Sequence, residues 1–122
     1  MTQEERYLVL KDLCGRLITD VIVTIEGESD RLYLNGGMLD LMWSGKVNYR
    51  PYLRPMSSMT EEEKYIYRHM LGAILNSEGE SIMFVYVEDF PTIIDWLLKH
   101  HFDFRGLIEK GLALEAPEDM YA

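Results

Sequence analysis

The sequence predicts an α+β fold: a small antiparallel β-meander with helices packed mainly on one face. Three observations carry that reading. Between Asp20 and Arg54, short apolar segments with strand-like alternation are separated by turn chemistry. From Thr60 onward, apolar residues recur at helical spacing instead. The stretch KVNYRPYLRPMSSMTEEE at 46–63 joins the two regimes, ending the alternation and opening the helical half.

The N-terminal element is a helix over about 3–14. Thr2 and Glu5 form a capping-box pattern, Leu10, Leu13, Cys14 and Leu17 recur at helical spacing, and Gly15 offers a left-handed stop. The β-branched run Val21 to Ile25 predicts a strand, Glu26 to Asp30 a turn, and Arg31 to Asn35 the returning strand. Asn35-Gly36 reads as a hairpin turn, because both residues tolerate the positive φ that a type I′ turn needs; Leu39, Leu41 and Trp43 then alternate as a third strand. Ser44-Gly45 reverses the chain into a fourth strand. There Val47, Tyr49, Pro51 and Leu53 share one face, and Lys46, Asn48, Arg50, Tyr52 and Arg54 share the other. Pro51 and Pro55 lack amide donors, so this strand is expected to pair fully on one side at most, at a sheet edge or as an extended arm.

Thr60 and Glu63 make a second capping box, with Glu61 and Glu62 in the first turn where the helix dipole favours them. Ile66, Met70, Ala73 and Ile74, flanked by Tyr67 and Leu71, give that helix its apolar stripe, and Asn76 to Glu80 breaks it. Ile82 to Val87 reads as a buried strand, and Ile93 to Leu98 as a helix ending near His100, with Asp89 and Pro91 at its start. Leu107 and Ile108 pack a short turn that Gly111 ends. Residues 1–115 are thus expected as one domain and 116–122 as a frayed acidic tail.

At 122 residues the chain is long enough to bury a core without disulfide or metal staples, and no apolar run approaches a membrane span. A start without a signal-peptide h-region and a single cysteine point to a reducing cytoplasm. A net charge of -9 argues against general nucleic-acid binding, which needs cations to displace phosphate counterions. The charge is uneven: residues 46–59 hold Lys46, Arg50 and Arg54 and no acid, a local +3 that leaves -12 elsewhere.

Three strings, LKDLCGRL at 10–17, PYLRPMSSMTEEE at 51–63 and IDWLLKHHFDFRGLIEKGLALEAP at 94–117, resemble a family of small uncharacterised proteins encoded by gut bacteria and their mobile elements. The resemblance implies no activity, ligand or site residue.

The sequence holds no phosphate-binding loop, nucleophile elbow, zinc-protease motif, paired CxxC or calcium loop, so no catalytic residue, cofactor or metal is assigned, and an enzyme is the lesser reading. His100, His101 and Asp103 are the best ligand set on offer, but adjacent helical histidines diverge by about 100°, and a helix C-terminus explains them more simply. His69 reads as a solvated or core-edge residue, Cys14 as a buried structural thiol, and the eight Met as filling an irregular core.

The candidate interaction surface is Tyr49, Arg50, Tyr52 and Arg54, an edge strand with the aromatic and arginine anchors that recruit a protein partner or a second copy. The plainer reading has these cations meeting acids of their own domain. Two lesser alternatives are single-strand nucleic-acid contact through the same basic and aromatic residues, and an acidic decoy from a mobile element that mimics nucleic acid. The sequence as a whole is expected to be a small cytoplasmic protein-interaction module.

Overall fold

In this computed structural model, which describes residues 1–75, 81–84 and 90–121, the chain runs α1 (Gln3–Arg16), β1 (Ile22–Ile25), β2 (Leu32–Tyr33), α2 (Gly36–Trp43), β3 (Tyr49–Leu53), a 3-10 turn (Met56–Ser58), α3 (Glu61–Met70), β4 (Ala73–Leu75), β5 (Ser81–Phe84), α4 (Phe90–Lys99) and β6 (Leu114–Glu115). The α+β class holds, and both capping boxes form. Thr2 Oγ1 accepts the Glu5 N–H at 3.1 Å, and Thr60 Oγ1 accepts that of Glu63 at 3.1 Å, each with the reciprocal carboxylate bond.

The consecutive antiparallel meander holds only in part. The strand order is β2-β1-β3-β6, with β1 antiparallel to β2 and β3, but β3 parallel to β6. Residues 36–43 are a helix where alternation suggested a strand. Asn35 sits in extended conformation, and its side chain accepts the Met38 N–H at 3.0 Å, so it starts a helix rather than a hairpin. Asparagine suits both tasks. The three alternating residues lie in a window that also holds Met38 and Met42, and Met42 is the one α2 side chain fully buried.

β3 is likewise not an edge. Glu26 N–H bonds Asn48 C=O at 2.8 Å, so in this register the even-numbered residues of β3 face β1 with their amides, and Pro51 lies opposite Val23 in a non-bonded pair. Its missing donor faces β6, whose ladder starts one residue later at Tyr52↔Leu114. An interior strand therefore tolerates this proline at no cost in ladder bonds.

Two helix ends also differ from expectation. Gly15 keeps helical backbone and α1 continues to Arg16, whereas α3 stops at Met70 because Gly72 takes φ 75°, which turns Ala73 and Ile74 into β4. The β4–β5 pair is antiparallel; the expected strand 82–87 is found as far as Phe84, and the rest of it, like the Asp89 cap, lies outside the described residues.

One core sits between the sheet and α1 and α2, with Val9, Leu13, Val23, Met42 and Leu53 fully buried. A second, at the sheet's end, joins Met59 and Met70 to Ile93, Leu97 and Phe102. Ala116 and Tyr121, at the two ends of the described tail, bond to the sheet. Ala116 N–H donates to Leu53 C=O at 2.8 Å, and the Tyr121 hydroxyl accepts from Ile22 N–H at 2.9 Å and donates to Tyr52 C=O at 2.8 Å.

Candidate interaction surface

The four residues of the sequence-derived surface go to different places. Tyr49 is buried under α1, and Tyr52 is 8% exposed with its hydroxyl toward Ser29 C=O at 3.4 Å. Arg50 is half-buried on the opposite sheet face, its Nε enclosed without a protein acceptor. Arg54 is spent inside the fold. It forks onto Glu63 through Nη1–Oε2 at 2.8 Å and Nη2–Oε1 at 2.7 Å, and its guanidinium lies 4.2 Å from the Phe102 ring centroid. That fork holds the Glu63 carboxyl down at about 2 despite the opposing effect of burial. So β3 offers no open cationic face.

The two histidines that the sequence paired also part. His100 leans on Trp96, ring centroids 4.7 Å apart, with Nδ1 3.8 Å from Glu63 Oε2; burial lowers its pKa although Glu63 opposes the shift. His101 takes φ 63° as the left-handed residue ending α4: its N–H bonds Leu98 C=O and that of Phe102 bonds Leu97 C=O, a Schellman pattern with histidine where glycine is usual. Its ring stacks on Tyr121 at 3.8 Å, and burial, then the Arg16 charge, lowers its pKa to about 4. Asp103 is committed to the N–H groups of Leu107 and Ile108 at 2.8 and 2.9 Å. Among the described residues, no group of three or more potential ligands is placed to hold a metal ion. His69 stacks on Tyr65, and Cys14 is exposed, contrary to the buried thiol expected from its spacing.

The sequence reading missed a buried charge cluster. Asp12 and Arg16, both fully buried, pair through Oδ2–Nε at 2.7 Å and Oδ1–Nη2 at 3.1 Å; Arg105 adds a 2.6 Å bond to Oδ1, and Arg16 Nη2 donates to Phe102 C=O. The signal was present as an Asp and an Arg at i and i+4 beside the apolar stripe of α1. The cluster clamps α1 to the segment after α4.

An open cleft of about 650 Å³ lies between Arg54, Thr60, Glu63 and the tail residues Glu115, Glu118 and Tyr121. Its one guanidinium is already neutralised by Glu63.

What remains open is apolar. Of the nine large apolar side chains exposed among the described residues, five lie on α1, the turn after it, or α2: Tyr7, Leu8, Leu17, Ile18 and Trp43. Tyr7 is 59% and Trp43 65% exposed, and their rings meet edge to face at 5.9 Å. Around them stand Glu4, Arg6, Lys11, Asp40 and Lys46, a mixed set with a net +1 on a chain of -9. A helical reading of 36–43 would have found this pair, since only then does Trp43 leave the core. Among the described residues no helix is long and apolar enough to cross a membrane. No family model, curated protein or solved structure matches the chain.

Proposed function

We propose that this protein is an interaction module that associates with its own copy through the α1–α2 face, with Tyr7 and Trp43 as the anchors. The supporting observation is the exposed Tyr7–Trp43 pair: Tyr and Trp are enriched among residues that dominate binding energy, and here two of them meet edge to face on two helices. The local charge opposes a second copy least at this face. Two copies of a -9 chain repel, and a face with a small positive balance and both signs present is where they approach at least cost. The Tyr49–Arg54 segment lacks that support, because its tyrosines are buried and Arg54 is paired. Sedimentation velocity over a wide concentration range tests the reading. The expected result is a shift from monomer to dimer that Trp43→Ala abolishes without changing the circular dichroism; a wild-type protein that stays monomeric throughout refutes it.

A further inference from the structure

Resting on that reading, we infer that two copies pack α1 against α1 in antiparallel about a two-fold axis, so that Ile18 of each copy docks against the Tyr7–Trp43 pair of the other. Ile18 is 95% exposed. It lies in the turn that continues the spiral of α1, since Leu17 keeps helical dihedrals of -58° and -31°. Eleven residues are almost three helical turns, so Ile18 shares a face with Tyr7, roughly 16 Å farther along the axis. Between them that face presents Lys11, Cys14 and Gly15, all exposed, and at its far end the Leu98 side chain of α4 stands beside Gly15.

The ends of this stripe are chemically complementary. Around Tyr7 and Trp43 the cations Arg6, Lys11 and Lys46 outnumber Glu4 and Asp40. Around Ile18 the balance reverses: Asp20 and Asp95 outnumber Lys99, and α1 and α4 both end there, adding the partial negative charge of their terminal carbonyls. Ile18 also stands at the rim of a half-open cleft of about 570 Å³ with Gly15 and Leu98 in its lining, a receptacle for the partner's Trp43 indole. An antiparallel arrangement brings the cationic end of each copy onto the acidic end of the other, twice, whereas a parallel one stacks like on like. The contact is isologous and closes at two copies.

Cys14, the single cysteine of the chain, lies close to the midpoint of the stripe and reports on the axis. Dilute wild-type protein treated with a short bis-maleimide should form a covalent dimer, with Cys14→Ser as the blank. Ile18→Asp should remove that product and weaken association by more than about tenfold, the loss expected of an anchor residue. Lys46→Glu should weaken association, and adding Asp95→Lys to it should restore the loss. Circular dichroism checks that each variant folds. A dimer in sedimentation that neither cross-links through Cys14 nor responds to Ile18→Asp overturns the antiparallel arrangement and leaves self-association standing. Absence of any dimer refutes both.

Discussion

The most informative single atom to remove is the Tyr121 hydroxyl oxygen. In the β1–β3 register, Val23 faces Pro51, Thr24 faces Arg50 and Ile25 faces Tyr49, so the next pair would be Ile22 with Tyr52. That pair would be a bonded one, and the hydroxyl stands in its place, taking the Ile22 N–H at 2.9 Å and giving its own proton to Tyr52 C=O at 2.8 Å. Tyr121→Phe keeps the ring against His101 and strands both backbone groups between residues that are 9% and 8% exposed. An orphaned buried group costs about 1–3 kcal/mol, and closure of the strands onto a direct N–H···O bond would recover part of two such losses, so the expected cost is about 2 kcal/mol. Tyr33→Phe, at a 68% exposed ring, should stay within about 0.5 kcal/mol and serves as the control. Urea titrations at equal m-value measure both. The phenol supplies a second reading: burial pushes Tyr121 up to about 12, above its ordinary 10, so the folded state holds this proton more tightly than the unfolded one. The corresponding stability is fully present below pH 10 and is lost as pH rises toward 12. A Tyr121→Phe variant as stable as Tyr33→Phe would refute the view that this hydroxyl completes the sheet.

Further outcomes follow from the paired charges and caps. Arg54→Met should let the Glu63 carboxyl climb from about 2 toward its ordinary 4.5, followed by NMR titration; the wild-type contribution is present above pH 4.5 and fades as pH falls toward 2. Asp12→Ala leaves Arg16 and Arg105 without their shared carboxylate in a fully buried site and should cost about 3–5 kcal/mol by urea titration, as breaking a buried pair does. Thr60→Ala should cost about 0.5–2 kcal/mol, the loss of an N-cap, by the same assay.

Local signals were legible in the sequence wherever one physical requirement had one reading. The capping boxes at Thr2 and Thr60, the β-branched strand at 22–25 and the helix ending at Lys99 are such cases. Legibility failed where one residue type serves two purposes. Asn35 is as good a helix cap as a hairpin corner, and Pro51 bars an interior strand only when its amide faces an occupied ladder, which depends on where β6 begins. The parallel β3–β6 pair was out of reach for a different reason: it joins segments some sixty residues apart, and β6 is two residues long, too short to show a period. The candidate site followed the same rule. Its tyrosines and arginines were read as interface anchors, yet the features that make an aromatic a good anchor also make it good core, and Arg54 found Glu63 at the start of the helix that the sequence had placed next to it.

Salt dependence offers a test of the proposed association in which two effects have opposite signs. A 122-residue domain has a radius of gyration of about 14 Å, so two copies in contact have centres roughly 30 Å apart. Two charges of -9 at that distance in water repel by about 11 kcal/mol before screening. At 0.01 M salt the Debye length equals that separation and about a third of the repulsion survives; at physiological ionic strength, with a length near 8 Å, only a few tenths of a kcal/mol remain. The two pairs that Arg6, Lys46, Asp20 and Asp95 would make across the axis are repeated to four by the two-fold; at about half a kcal/mol each they sum to about 2 kcal/mol, against the roughly 4 kcal/mol by which the long-range repulsion falls, and they weaken over the same range. The long-range term is the larger of the two, so association through the α1–α2 face should strengthen by more than about tenfold between low and physiological salt and then level off as the apolar anchors dominate. Sedimentation across that range measures it. An association that weakens steadily with salt would mean that ion pairs hold the copies together, and Tyr7, Trp43 and Ile18 would not be its anchors.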